Sequence, residues 1–194
     1  AMNEKDVPRA TFTKMEDGSK EDWALIVDAS IHFFTELSDR LISHLELLRG
    51  GYGGFAIDRL EHSLQTASRA LRDGRDEEYV VCALLHDIGD TLAPANHADM
   101  AATLLQPFVS EKNYWMIKHH GIVQGYYFFE HLGLDKNLRD SLREHPYYAD
   151  TEEFCRAYDQ VSFDPNYDSM TLESFIPMLK RVFSAPKKSI YTSD

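Results

Sequence analysis

Tyr79-Val80-Val81-Cys82-Ala83-Leu84-Leu85-His86-Asp87-Ile88-Gly89-Asp90 decides how the rest of the sequence is read. An apolar run ends abruptly in an imidazole beside a carboxylate. The run reads as part of a helix over 77–89, and Cys82 within it as a small core residue. Burying a histidine and an ionised carboxylate at the end of such a helix costs desolvation energy unless positive charge neutralises the carboxylate. A metal ion would do so, and an adjacent His-Asp pair can ligate one metal or bridge two. A plain His–Asp hydrogen bond at a helix terminus is the alternative, and the dipeptide alone does not separate the two.

Outward from this stretch the pattern is helical. Ser19-Lys20-Glu21-Asp22 has the form of a helix start, and apolar residues from Trp23 to Leu48 recur at helical spacing up to Arg49, which predicts one long helix, interrupted or not. Gly50-Gly51-Tyr52-Gly53-Gly54 ends it, since each glycine costs a helix about 1 kcal/mol relative to alanine. Further helical blocks are expected over 56–72, 97–108, 111–132, 135–144, 151–162 and 171–183. Breaks fall at Asp73-Gly74, Ala93-Pro94, Gly133, His145-Pro146 and Asp164-Pro165. Thr151 and Thr171 are the expected starts of the last two helices. Nothing alternates strictly enough for a sheet, so the expected class is all-α: a helical bundle over 19–184, with a flexible arm at 1–18 and a frayed tail at 185–194. Ala1 ahead of Met2 reads as an expression remnant before the native start.

Composition narrows the function. The 194 residues carry 20 Lys+Arg against 32 Asp+Glu, a formal charge of −12, with no basic run. Long-range repulsion then argues against nucleic acid or anionic lipid as partner, so any anionic ligand must meet local positive charge. Two cysteines, Cys82 and Cys155, cannot staple a secreted domain. No basic segment followed by an apolar run opens the chain, and no apolar stretch approaches the roughly 18 residues of a membrane helix. The expectation is a soluble cytoplasmic protein, with its oligomeric state open.

Nine histidines are a modest excess. His62, His86, His97, His120 and Asp159 each fall on, or at the edge of, a different expected helix, and a bundle can bring such residues to one point. The order His62 … His86-Asp87 … His97 … His120 … Asp159 resembles the HD-domain superfamily in its dinuclear, six-ligand form, over roughly residues 55–165. The resemblance implies that His62, His86, Asp87 and Asp159 bind one metal, and that Asp87 bridges to a second held by His97 and His120. His119 is the rival for the last ligand, because helix neighbours point about 100° apart and only one can face the site; the following Gly121-Ile122-Val123-Gln124-Gly125-Tyr126 fits the family helix better with His120. His32, His44, His131 and His145 have no counterpart in the pattern.

Most HD proteins hydrolyse phosphate esters with metal-activated water. Such a phosphohydrolase, acting on nucleotides or other esters, is the alternative here. A smaller branch holds mixed-valence di-iron, Fe(II)/Fe(III), and uses O2 as co-substrate to oxidise a carbon atom. Tyr52, ten residues before His62, resembles the tyrosine of the organophosphonate oxygenase branch that occupies the resting iron site and swings out for substrate; the flanking glycines would give it the freedom to move. Arg156, three residues before Asp159, matches an arginine of that branch and would hold a phosphonate bidentately. Gln124 stands where the best-known branch member has lysine, Asp90 where it has histidine, and Phe55 where it has a glutamate that reads a primary ammonium. A quaternary ammonium donates no hydrogen bonds and is better held by aromatic faces. Phe55, with Tyr126, Tyr127, Tyr147 and Tyr148 expected on the cavity side, therefore points to a choline-like head group. The resemblance implies a small zwitterionic substrate, (R)-1-hydroxy-2-(trimethylammonio)ethylphosphonate, cleaved to glycine betaine and phosphate. Tyr52 and Asp90 would take part in the reaction, and Phe55, Gln124, Tyr126 and Arg156 in binding.

Overall fold

A computed structural model describes residues 4–192. Ala1 and Met2 lie outside the described residues, as do the ends of the expected arm and tail. The chain falls into two compact units, Ala1–Arg40 and Leu41–Asp194. The described residues form helices and turns with no strand, an all-α protein. No described helix is long and apolar enough to cross a membrane.

In the first unit, α1 (Lys20–Thr35) starts where the sequence marks it. The Ser19 hydroxyl accepts from the Asp22 N–H while the Asp22 carboxylate accepts from the Ser19 N–H, a reciprocal capping box. Phe12 stacks on Trp23 with ring centroids 5.6 Å apart, so the segment before the helix folds back on its first turn. The expected long helix is interrupted at Glu36, after which α2 (Leu37–Glu46) follows.

The second unit is built around α4 (Glu77–Leu85), whose residues 79–85 are all buried. A helix apolar on every side must be surrounded. α3 (Arg59–Arg72) and α8 (Leu172–Val182) pack directly against it, with α6 (Glu111–Gln124) also in contact. α5 (His97–Leu105) and α7 (Tyr148–Phe154) pack in turn on α6. Cys82 is a fully buried free thiol, as its apolar setting implies, and Cys155 is buried and free as well.

Several expected helices are shorter or tighter than their periodicity suggests. The 77–89 block ends as α-helix at Leu85 and continues, after Asp87, as a 3-10 turn, Ile88–Thr91. The 111–132 block is helical to Gln124, then runs through the 3-10 turns Gly125–Tyr127 and Phe129–Leu132; the 135–144 block is 3-10 over Lys136–Leu142. Thr151 does not start α7. It is buried inside the helix, with its hydroxyl donating to the Tyr147 carbonyl, and the helix begins at Tyr148 directly after the Pro146 turn. Thr171 does cap α8. After α8 the Lys187 and Lys188 N–H groups donate to the Pro107 carbonyl.

One departure bears on function. α7 passes into a π-turn, Cys155–Asp159, closed by the Gln160 N–H on the Cys155 carbonyl at 2.9 Å. Such wide turns cluster at functional sites because the extra residue re-aims the side chains that follow. Here it carries Asp159 into the bundle interior, 3% exposed.

Candidate metal centre

Six side chains from five segments meet beside α4. His62 lies one turn into α3, His86 caps the C-terminus of α4, Asp87 follows it, His97 opens α5, His120 lies late in α6, and Asp159 ends the π-turn. The Asp87 carboxylate sits at the middle. Its Oδ2 is 3.3 Å from His62 Nε2 and 3.2 Å from His86 Nε2, while its Oδ1 is 3.2 Å from His97 Nε2 and 3.3 Å from His120 Nε2. Asp159 Oδ1 joins the first group, 3.1 Å from His62 Nε2 and 3.5 Å from His86 Nε2. One carboxylate thus addresses two histidine pairs, one oxygen to each.

The backbone sets the rings. His62 Nδ1 donates to the Ser162 carbonyl at 2.9 Å, His86 Nδ1 to Ala83 at 2.6 Å and His120 Nδ1 to Ile117 at 2.6 Å. Each of these bonds leaves Nε2 as the atom aimed inward, the arrangement that orients metal-bound imidazoles. His62 Nε2 and His86 Nε2 stand 3.1 Å apart with two carboxylates around them. Two lone pairs at that distance repel unless a cation lies between them. Burial opposes charging His62, but Asp159 and Asp87 more than offset it and raise its pKa to about 9. His86 is raised well above the ordinary value against the same opposition from burial, and His97 is raised chiefly by Asp87. Desolvation opposes ionising Asp87 and Asp159, but the surrounding histidines, His86 the strongest, hold both below the usual carboxylate range. Imidazole nitrogens and carboxylate oxygens converging in this way fit divalent metal ions. Three overlapping sets, His62/His86/Asp159, His86/Asp87/His120 and Asp87/Asp90/His97, each bring three donor atoms within 4.8 Å of one another.

His119 takes no part. Its ring stacks on Trp115 at 4.0 Å and its Nδ1 donates to the Trp115 carbonyl, while burial lowers its pKa. Trp115 stacks on its other neighbour, His145, also at 4.0 Å. His44 Nε2 pairs with the Thr91 hydroxyl.

A cavity of about 740 Å³ opens onto the cluster. Tyr52, Phe55, Asp90, Gln124 and Tyr127 line it. Tyr126, Tyr147, Tyr148 and Arg156 do not. Tyr126 lies under the Arg139 guanidinium at 3.8 Å, and Tyr148 is buried in the bundle. Arg156 is exposed and its Nε donates to Glu152 at 3.1 Å. The three-residue offset from Asp159 shares a face only in an α-helix, and the π-turn between the two residues breaks that register.

Two lining residues were not singled out from sequence. Phe163 stacks between Phe55 (4.8 Å) and His62 (4.2 Å), forming an aromatic wall along the cavity. Arg59, the first residue of α3, ion-pairs with Asp90 at 3.3 Å. The glycines around Tyr52 form a tight turn. Gly53 and Gly54 have φ of +57° and +88°, and the Phe55 N–H donates to the Tyr52 carbonyl at 2.9 Å.

These features define a bundle-held cluster of four histidines and two aspartates that could hold metal ions. The HD domain family matches residues 59–176, more than half of the chain, and the chain belongs to that family. No curated protein matches it. The match starts after the glycine turn, so Tyr52 and Phe55 lie outside it.

Two outcomes follow for the centre. A Cβ on Gly89 would stand 2.6 Å from the His97 carbonyl oxygen and 2.8 Å from its Cα, so Gly89→Ala must displace the start of α5. Metal titration of that variant is expected to keep the His62/His86 equivalent and weaken the His97/His120 equivalent at least tenfold. Protons compete with metal for His62. Its raised pKa stabilises the metal-free fold fully below the ordinary 6.5, and this contribution is lost as pH rises through about 9. Metal affinity should therefore climb between pH 6 and 9, with proton release seen by calorimetry in buffers of different ionisation enthalpy. A flat profile would contradict this.

Proposed function

We propose that the chain is an O2-dependent di-iron oxygenase that cleaves the carbon–phosphorus bond of a 1-hydroxy-organophosphonate. The proposed substrate is (R)-1-hydroxy-2-(trimethylammonio)ethylphosphonate, converted to glycine betaine and phosphate. One O2 balances the reaction: the C1–H and C–P bonds break, and the two oxygen atoms end in the carboxylate and the phosphate. The observation that carries the reading is the division of Asp87 between two histidine pairs, which suits two metals sharing one carboxylate.

Iron in such a centre would supply O2 activation and a Lewis-acid hold on the substrate's hydroxyl and phosphonate oxygens. The chain's own residues account for recognition. Phe55 and Phe163 offer stacked rings in place of a carboxylate, and Tyr127, Phe128 and Phe129 line the same cavity; aromatic faces hold a trimethylammonium that donates no hydrogen bonds. Gln124 Oε1 is buried without a partner among the described residues, leaving an acceptor for a hydroxyl group of the ligand. Tyr52, half exposed at the cavity, stands where a phenol would yield to substrate. Localisation in the cytoplasm suits an iron-dependent enzyme with two reduced cysteines, and a small zwitterion remains the proposed partner.

The same ligands would serve a phosphohydrolase, and oxygen separates the two chemistries. Iron-loaded protein should release phosphate from the hydroxyphosphonate in air and stop under nitrogen, and Tyr52→Phe should change the visible spectrum of the resting iron-loaded protein. Phosphate release at the full rate without O2, with Tyr52 dispensable, would overturn the oxygenase reading in favour of hydrolysis.

A further inference from the structure

Arg59 is the only arginine or lysine among the residues lining the cavity. In a chain with net charge −12 it is therefore, among the described residues, the one Lys or Arg side chain lining the cavity beside the cluster. Three contacts to two partners hold its position. The backbone N–H donates to the Gly51 carbonyl at 3.0 Å, Nη1 donates to the same carbonyl at 3.1 Å, and Nε lies 3.3 Å from Asp90 Oδ2. The other Asp90 oxygen is 3.6 Å from Nδ1 of the ligand His97. Gly53 leaves room for the guanidinium: a Cβ there would come within 2.7 Å of Nη2. The group is thus fixed between the turn that carries Tyr52 and the turn that carries Asp90.

A guanidinium has five N–H donors in a rigid fork. Nη1 spends one on Gly51, Nε faces Asp90, and Nη2 makes no hydrogen bond among the described residues. A planar pair of donors beside a metal centre matches two oxygens of a tetrahedral oxyanion. Arg156, which the sequence offers for this task, is turned to Glu152 at the surface.

We propose that Arg59 is the residue that binds the tetrahedral oxyanion of the substrate, a phosphonate or phosphate group, at the cavity beside the metal centre. The inference rests on the oxyanion substrate of the proposed function. It makes the same residue the contact between that anion and the Tyr52 turn, because the guanidinium that meets the oxyanion also holds Gly51.

Inorganic phosphate is the probe, titrated calorimetrically into the metal-loaded chain with metal content measured in parallel. Arg59→Ala should weaken phosphate at least tenfold, a loss of about 1.4 kcal/mol, with metal content unchanged. Arg59→Lys, which keeps the charge without the fork, should fall between this variant and the parent. Phosphate held equally well by Arg59→Ala would overturn the inference and leave the oxygenase reading standing, as would loss of binding in Arg156→Ala alone. A fall in metal content in Arg59→Lys would assign Arg59 to building the centre and would equally overturn the inference. Failure of the metal-loaded parent to bind phosphate would overturn both the inference and the oxyanion reading beneath it.

Discussion

Asp87 sits half-buried among four imidazole nitrogens, with each carboxylate oxygen turned to a different pair. Neither a lone carboxylate nor a lone histidine is stable in such a place, because desolvation of either charge goes uncompensated. The bundle is arranged so that neither is alone. α4 is buried on all sides and ends at the cluster, so its C-terminus delivers His86 and Asp87 to the interior. α3, α5, α6 and the π-turn after α7 each bring one more donor. The long-range hydrogen bonds of α3 have the same effect: Gln65 both donates to the Asp164 carbonyl and accepts from its N–H, and Ser68 accepts from Met170, so the segment after Asp159 is tied to the helix that carries His62.

The ligand pattern and its helices are legible in the sequence because they rest on local rules. Ser19 and Thr171 cap helices through their own side chains, prolines and glycines end them, and a histidine–aspartate pair behind an apolar run marks a buried charge. Trp115 engages His119 one turn earlier on the same helix, while His120 faces Asp87. What the sequence hides is backbone geometry that helical periodicity does not encode. The π-turn before Asp159 has an ordinary helical sequence, yet it turns Arg156 away. The 3-10 turns after Gln124 similarly leave Tyr126 beside Arg139 and bring Tyr127 to the cavity. Arg59 and Phe163 acquire their places only through tertiary contacts, one from the folded-back glycine turn and the other by stacking on a ligand 101 positions away in the chain.

The acidity of the chain also takes on a definite form. Asp87 and Asp159 belong to the 32 acidic residues, but their charge faces inward to histidines. The cavity is lined by one arginine, four aspartates and a run of aromatic rings, and two of those aspartates, Asp87 and Asp159, face the histidine cluster.

The central claim is that Asp87 makes one centre of two metal positions. Elemental analysis of protein loaded with iron under nitrogen and freed of excess metal tests it most directly. The account predicts two ions per chain, falling well below one in Asp87→Ala, because a single carboxylate serves both positions. One ion per chain in the parent, or two retained in Asp87→Ala, would contradict it.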